Sequence, residues 1–228
     1  MSLEAIAAEN ARCRRCPRLV QWREEVARVK RASFAQDTYW GRPVPGFGDP
    51  QARVLLFGLA PAAHGANRTG RVFTGDRSGD FMFASLHRTG FANQPTSVHA
   101  DDGLALTDMW IAAAVRCAPP ANKPTPQERD ACLGWSVREV RELTSLRLIV
   151  CLGSFAWDAA LRLRAALDLA PPKPRPRFGH DVLALQDSPL PLLGCFHPSQ
   201  QNTFTGKLTE PMMDAVFEHA RELVNAGA

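Results

Sequence analysis

The sequence predicts an α/β fold in which a mostly parallel sheet is covered by helices on both faces. Short apolar runs alternate with segments of helical pattern along all 228 residues, as expected of repeated strand–helix–strand units. The runs read as buried strands, which is typical of a parallel sheet with two covered faces. Neither an internal repeat nor a break in composition divides the chain, and we therefore expect a single domain over residues 1–228.

The apolar runs that predict strands share a short length and flanking turn residues. They lie at 53–58, 108–115, 146–153, 182–186 and 190–196, and the run at 182–186 is the weakest. The alanines of the second run also leave a helix open there. Segments 41–50 and 171–177 contain too many glycines or prolines for a helix or a strand, so both are predicted as loops.

Helices are predicted between these strands from their start and stop signals. Ser78 is a candidate N-cap and Gly90 a candidate stop for one helix, and Thr125 followed by Pro126 begins another. A polar helix start also opens the chain. The main helices are predicted at 17–33, 78–90, 126–143, 154–167 and 207–225.

Composition indicates a globular protein that is neither disordered nor embedded in a membrane. Hydrophobic residues make up 45% of the chain and charged residues 22%, a balance that supports a packed core. The N-terminus lacks the basic and apolar regions of a signal peptide. No apolar run reaches the roughly 18 residues that a membrane helix needs. We expect a cytoplasmic protein without a membrane partner.

The positive charge of the chain favours an anionic partner without requiring one. Net charge is +4 and the pI is about 8.9. A solvated surface that only keeps the protein soluble explains this charge equally well. Clusters such as Arg12-Arg14-Arg15-Arg18 and Lys173-Arg175-Arg177 are the candidate sources of a basic surface.

Six cysteines in a chain without a secretion signal argue against a disulfide framework. Cys151 and Cys195 lie inside apolar runs and are predicted to pack as small hydrophobic side chains. The other four, beside turns or helical segments, are Cys13, Cys16, Cys117 and Cys132. The first two have C-x2-C spacing and could share one metal or cluster with the other pair. Four thiolates suit tetrahedral zinc or a [4Fe–4S] cluster, and four unrelated thiols are the alternative.

Three loops rich in polar or small residues follow predicted strands, at 58–80, 117–126 and 197–207. Ligands of such folds bind outside the carboxyl ends of the strands. We therefore expect these loops to meet at one edge of the sheet and to form the functional site.

The loop at 58–80 begins with small side chains, which let a flat ligand approach the backbone closely. It lacks both glycine patterns that bind phosphates or dinucleotides, so an ordinary nucleotide-binding enzyme is the least favoured function. Phe73 is placed to form a stacking wall, and Arg68 and Arg71 to hold phosphates. Asp76 is equally explained as a helix cap.

The loop at 197–207 begins with His197 and Pro198 and continues through polar residues to Lys207. A histidine that follows a strand suits a catalytic loop entering a groove. A core or capping histidine is the alternative interpretation.

Four blocks of the sequence carry a joint pattern that is more specific than any one of them. In chain order they are Cys13-x2-Cys16, GLAPAAHGANRTGRVFTGDRSG, RCAPPANKPT with the later Cys132, and HPSQQNTFTGKLT. Together they resemble the iron–sulfur uracil-DNA glycosylases of type B, or family 5. The resemblance implies a doubly wound α/β/α domain and removal of uracil, and of other deaminated or damaged bases such as hypoxanthine, from DNA. It also implies a structural [4Fe–4S] cluster on the four cysteines, with residues 1–33 helical and binding the cluster.

The resemblance further implies how an extruded base would be held. Phe73 would stack on the pyrimidine, and backbone groups near Leu59 and Ala60 would touch its edge. Asn122 would pair with the Watson–Crick edge, because its amide both donates and accepts hydrogen bonds. His197 would donate a hydrogen bond to O2 of uracil, where negative charge grows as the glycosidic bond breaks.

The residue that positions water departs from the pattern of other glycosylases. They often carry Asp or Asn in the first motif, where this chain has Ala62 and Ala63. Asp76 is the nearest acid in the matching loop, and we expect it to position the water or to stabilise the sugar cation. His64 is expected to contact the water or the DNA backbone.

DNA contacts are predicted around this pocket, with the loop at 200–206 entering the duplex. The predicted contacts are Arg68, Arg71, Lys123, Gln201, Asn202 and Lys207, and Phe204 is a further candidate to fill the vacated stack. We expect a monomer. The alternative function is a non-catalytic nucleic-acid-binding module whose cysteines hold zinc.

Overall fold

Six strands form one sheet between two layers of helices in the computed structural model, which describes residues 1–226. The strands are β1 (Phe47–Gly48), β2 (Val54–Gly58), β3 (Met109–Ala113), β4 (Leu148–Leu152), β5 (Leu183–Ala184) and β6 (Leu192–Cys195). Their order is β1-β3-β2-β4-β6-β5. The four central strands are parallel, and the two edge strands pair antiparallel. The predicted mostly parallel α/β fold is confirmed.

The central strands are buried on both faces, which is why they read as continuous apolar runs. Every residue of β2, β3 and β4 is buried. Val54 and Leu56 belong to the core on one face of the sheet. Leu55 and Phe57 belong to the core on the other face, as the two-residue period of a strand requires.

The helices form a layer on each face. They are α1 (Leu3–Asn10), α2 (Pro17–Val29), α3 (Ala66–Thr69), α4 (Arg77–Arg88), α5 (Pro126–Glu142), α6 (Ser154–Ala166), α7 (Gln200–Phe204) and α8 (Glu210–Ala226). Helices α4 and α8 pack on the first face, and α5 and α6 on the second. α1 packs against α5. No helix within residues 1–226 is long and apolar enough to cross a membrane.

One helix start follows its sequence signal closely, and a second differs from it in the capping residue. Thr125 caps α5 in a capping box with Glu128, and Pro126 occupies the first turn. α4 begins at Arg77, and its N-cap is Asp76 rather than the expected Ser78. The side chain of Asp76 accepts a hydrogen bond of 3.0 Å from the amide of Gly79. This bond satisfies one of the free N–H groups at the start of a helix.

The structure differs from the prediction mainly in short elements. α2 ends at Val29 instead of 33, because Lys30 has a φ of 59° and a short 3-10 helix follows at Ala32–Phe34. The predicted loop 41–50 contains β1, and the predicted loops at 58–80 and 197–207 contain α3 and α7. α8 begins at Glu210 rather than at 207. These elements are too short to show a period in the sequence.

Candidate active site

A cleft of about 600 Å³ opens where the loops after β2, β3 and β6 come together. Seven residues predicted for substrate or DNA line it: Leu59, Ala60, Phe73, Asp76, Asn122, His197 and Gln201. The cleft is also lined by residues that were not predicted as site residues, namely Ala62, Arg77, Ser78, Ser199 and Gln200. The three loops thus share one site at the carboxyl edge of the sheet.

Phe73 forms one wall of the cleft with a backbone that is rare for a residue with a side chain. Its φ is 54°, and it is only 8% exposed. A Cβ atom on Gly58 would lie 2.9 Å from the Phe73 ring, and one on Gly79 would overlap the Phe73 carbonyl oxygen. Two glycines therefore leave the space for this conformation. Backbone strain of this kind concentrates at binding and catalytic sites.

His197 follows β6 and faces Phe73, with 6.0 Å between the two ring centroids. Its carbonyl accepts hydrogen bonds from the Ser199 amide at 2.8 Å and from the Asn202 side chain at 2.9 Å. No protein group in residues 1–226 bonds to the imidazole nitrogens. Burial lowers the pKa of His197 to about 4, so that the ring is neutral at pH 7. A neutral imidazole retains one N–H donor for a ligand.

Asp76 presents its two carboxylate oxygens in different directions. Oδ1 accepts the capping bond from Gly79, and Oδ2 lies against the backbone of Gly65. Burial raises the pKa of Asp76, and the negative charge of Asp80 raises it further. Hydrogen bonds from the backbone of Gly79 and Ser78 act in the opposite direction. The carboxylate is therefore more basic than an exposed aspartate. The capping role and a chemical role are compatible, since they use different oxygens.

Asn122 lies at the cleft on a tight 3-10 turn after β3. Ala121 and Asn122 both have left-handed backbones, with φ angles of 52° and 55°. The side chain of Asn122 is exposed, and no protein group in the described part of the chain bonds to it. The carbonyl of Lys123 accepts a hydrogen bond from Arg18 at 3.2 Å, which fixes the turn to α2 and leaves the Lys123 ammonium exposed.

The partners of Arg71 inside the protein argue against its predicted phosphate contact. Its side chain is 7% exposed and donates to Thr74, Ser97 and the carbonyl of Ala100. It also forms a buried ion pair with Asp102 at 2.8 Å. Burial raises the pKa of Asp102, but hydrogen bonds from Arg71 and from two amides outweigh it and lower the pKa to about 2. Arg71 holds the loop together, and its buried guanidinium is directed at partners inside the protein.

Arg68 and His64 are likewise occupied inside the protein. Arg68 donates to Asp37 at 2.7 Å and to the carbonyls of His64 and Gly75, and its guanidinium lies 4.0 Å from the centroid of the Phe34 ring. Nδ1 of His64 bonds to the Tyr39 hydroxyl at 3.0 Å, and His64 does not line the cleft. These contacts oppose the predicted DNA and water contacts. Arg68 and His64 instead bind the loop after β2 to the segment before β1.

The loop after β6 forms the opposite wall through α7. Gln200 and Gln201 line the cleft. The side-chain amide of Asn202 donates a hydrogen bond to the His197 carbonyl. This bond stabilises the loop after β6 and argues against the predicted contact of Asn202 with DNA. Lys207 lies 5.0 Å from the centroid of the Phe196 ring, in a neighbouring cavity that His197 also lines.

Exposed residues at the rim of the cleft were only partly anticipated. Phe204 is 69% exposed. The guanidinium of Arg77 lies 5.6 Å from the centroid of its ring. The sequence did not predict that Arg77 lies at the cleft, because arginines are common near the starts of helices.

The four candidate ligand cysteines line one small cavity between the α1–α2 connection, the loop after β3 and α5. All four are free thiols, and Cys117 and Cys132 are buried. Arg23, itself 2% exposed, donates a hydrogen bond of 2.9 Å to Sγ of Cys117. Burial raises the pKa of Cys117 to about 12 and of Cys132 to about 11. Across residues 1–226, no three His, Cys, Asp or Glu side chains converge as a ready site for a single metal ion.

The uracil DNA glycosylase superfamily is the family whose model matches this chain, over residues 45–221. That match contains the whole cleft. The chain belongs to the uracil DNA glycosylase superfamily. The resemblance seen in four sequence blocks is thereby confirmed.

Relatives within this superfamily match almost the full length. A type-5 uracil-DNA glycosylase of Mycobacterium bovis is 58% identical over 92% of this chain and 78% of its own. One of Mycobacterium leprae is 53% identical over 97% and 96%. One of Thermus thermophilus is 49% identical over 98% and 99%.

Proposed function

We propose that the protein is a DNA repair glycosylase that hydrolyses the N-glycosidic bond of uracil and leaves an abasic site. The observation that carries this proposal is the convergence of Phe73, Asp76, Asn122 and His197 on one cleft of about 600 Å³. An aromatic wall and an unpaired amide suit the stacking and edge pairing of an extruded base. A neutral imidazole and a basic carboxylate suit charge stabilisation on the base and positioning of water. The type-5 uracil-DNA glycosylases similar to this chain support the same activity.

The first step is to hold the extruded base. Phe73 is fixed in its wall by Gly58 and Gly79, so that its ring is in place before the base enters. Asn122 has an unpaired amide that both donates and accepts, which matches the alternating groups on the uracil edge. Leu59 and Ala60, which follow Gly58, also line the cleft. Because the side chain of Ala60 is small, the base can approach the backbone there.

The second step breaks the bond between base and sugar, and negative charge moves onto the base. The imidazole of His197 donates a hydrogen bond to O2 of uracil in its neutral form, because its pKa is about 4. A donor that is fixed before the reaction stabilises developing charge without reorganisation, and one such donor contributes roughly 3 kcal/mol. Asn202 and Ser199 hold the backbone of His197 in position for this contact.

The third step is attack of water on the sugar cation. Asp76 positions this water through Oδ2, while Oδ1 keeps its bond to the helix. Its raised pKa makes it a better proton acceptor than an exposed carboxylate. The first motif has Ala62 and Ala63 where other glycosylases often have Asp or Asn, which leaves this work to Asp76.

DNA outside the pocket contacts the exposed cationic and aromatic residues around the cleft. Lys123, Gln201 and Lys207 remain in this role, and Arg77 and Phe204 join them at the rim. Phe204, at 69% exposure, is the best placed side chain to fill the vacated stack. Hypoxanthine and other damaged bases remain further proposed substrates, and we also propose a monomeric, cytoplasmic enzyme.

The four cysteines fit a [4Fe–4S] cluster on two observations. The first is that they line a single cavity. The second is that the buried guanidinium of Arg23 donates a hydrogen bond to Cys117. Within residues 1–226, the only carboxylate at ion-pair distance from this guanidinium is that of Glu24, at 3.7 Å. A buried cation of this kind suits an anionic cluster of four thiolates. Cys13, Cys16, Cys117 and Cys132 would hold it, and it would link three chain segments structurally.

The non-catalytic zinc module is not favoured, because its loops would have no need for a neutral histidine and a basic aspartate in one cleft. The deciding experiment is incubation with oligonucleotides that contain uracil, hypoxanthine or only undamaged bases, followed by alkaline cleavage at abasic sites. We expect cleavage at uracil and none in the undamaged strand. An intact uracil strand after prolonged incubation with folded protein would overturn the proposal.

A further inference from the structure

A second groove, of about 550 Å³, lies between the α1–α2 segment and residues 39–42. None of its lining residues belongs to the cleft. We call it the arginine–tryptophan groove, and its principal side chains are Arg12, Arg14, Glu24, Tyr39, Trp40 and Arg42. Two of the arginines belong to the basic cluster that the sequence shows near the N-terminus and that the proposed mechanism does not use.

The charge of this groove is positive and only partly neutralised. Arg14 is paired with Glu24 through two hydrogen bonds, at 2.5 and 3.1 Å. Arg12 and Arg42 are exposed. In the described part of the chain, neither has a carboxylate at ion-pair distance. The charge of Arg12 contributes to lowering the pKa of Glu9, which lies farther away. Two cationic side chains therefore face the groove without a carboxylate at ion-pair distance within residues 1–226.

Trp40 places an aromatic surface between these charges. The indole is 36% exposed, yet its position is fixed. Its N–H donates to the Pro43 carbonyl at 2.9 Å, and the ring packs so closely on Gly70 that a Cβ there would lie 3.1 Å away. The guanidinium of Arg42 lies 5.5 Å from the centroid of the Trp40 ring. An exposed indole among arginines is the arrangement that proteins use to stack on single-stranded or unpaired bases.

The groove is joined directly to the loop that forms the cleft. The amides of Trp40 and Gly41 donate to the carbonyls of Arg68 and Asn67, at 2.9 and 3.0 Å. The Tyr39 hydroxyl bonds to His64 at 3.0 Å, and His64 lies two residues from Ala62 in the cleft. One DNA molecule can therefore contact both sides of the same loop.

We propose that the arginine–tryptophan groove binds the DNA strand beyond the lesion. Arg12 and Arg42 contact its phosphates, and Trp40 stacks on a base or packs on a sugar. The proposal rests on the proposed function only in taking DNA as the ligand, since binding here requires no damaged base. The combination of free arginines with a fixed indole favours nucleic acid over an acidic peptide, which would use the charges alone.

The test compares two double variants that remove equal charge. Arg12→Gln with Arg42→Gln removes the groove arginines, and Arg162→Gln with Arg175→Gln removes two exposed arginines from another surface. Fluorescence anisotropy gives the affinity for undamaged DNA at several salt concentrations. The slope of log affinity against log salt concentration should become shallower by roughly 0.9 for each arginine removed in the groove variant. In the control variant the slope should change much less. Equal slopes and affinities in the two variants would overturn the proposal.

A second readout addresses the indole and the nature of the ligand. Undamaged DNA should quench the tryptophan fluorescence of the wild type more than that of Trp40→Phe. Polyglutamate and a competing DNA strand of equal charge are then compared as displacers of bound DNA. If both displace the DNA equally well, the groove does not recognise nucleic acid as such. Because undamaged DNA is the probe, these results stand even for a protein that fails to excise uracil.

Discussion

The carboxylate of Asp76 occupies the space where a side chain at residue 65 would begin. A Cβ atom on Gly65 would overlap Oδ2 of Asp76 and lie 2.9 Å from its Cγ. Glycine is therefore required at position 65 for its missing side chain. The loop after β2 positions the acid of the cleft by leaving room for it.

Gly65→Ala should displace this carboxylate and slow excision. We expect a loss of at least roughly tenfold in the single-turnover rate, which corresponds to about 1.4 kcal/mol of transition-state stabilisation. The matched control is Gly134→Ala in α5, where a Cβ would meet nothing within 4 Å. The control should keep the full rate and gain roughly 0.5–1 kcal/mol of stability. Wild-type excision by Gly65→Ala would show that Asp76 does not act from this position.

Two substitutions at Asp76 separate its capping role from its chemical role. Asn caps helices as well as Asp does, whereas Ala does not. Asp76→Asn should therefore keep the free energy of unfolding near that of the wild type and still lower the single-turnover rate by roughly 100-fold or more. Asp76→Ala should lose a similar rate and, in addition, about 1 kcal/mol of stability. Retained excision in Asp76→Asn, measured beside chemical denaturation, would leave Asp76 only as a cap.

The parts of the site that the sequence predicts are those set by topology. Phe73, Asn122 and His197 lie far apart in the chain, but each follows a strand of one parallel sheet. The carboxyl ends of such strands meet at one edge, so the residues share a cleft without any information on contacts. Buried strands are equally visible, because both of their faces must be apolar.

Side-chain partners could not be predicted in the same way. Arg71 looks like a phosphate ligand until Asp102, 31 residues later, is found beside it. Arg68 likewise depends on Asp37 and Phe34, which lie before β1 and β2 in the chain. Such pairs are set by tertiary packing, and a single sequence shows the charge but not its neighbour. Only an exposed arginine remains available to DNA.

The depressed pKa of His197 predicts a pH dependence of stability. The ordinary histidine pKa of 6.5 falls to about 4 in the folded protein, so between these values the unfolded chain binds more protons. Stability therefore falls as the pH is lowered from 6.5 towards 4. His197→Gln should flatten this part of the curve in chemical denaturation. It should also lower the single-turnover rate by roughly 100-fold, and a parallel curve in the variant would show that His197 is not buried in its neutral form.

Cysteine substitutions should distinguish cluster ligands from packing cysteines. Cys117 and Cys151 are both buried, but only Cys117 lines the cavity with the other three candidate ligands. Cys117→Ser should lose iron, inorganic sulfide and visible colour, because a cluster needs all four thiolates. Cys151→Ala should keep all three, since its thiol packs inside β4 and contacts the core. Iron retained by Cys117→Ser at the wild-type ratio, or zinc found in place of iron in the wild type, would contradict the cluster and return these cysteines to a packing or zinc-binding role.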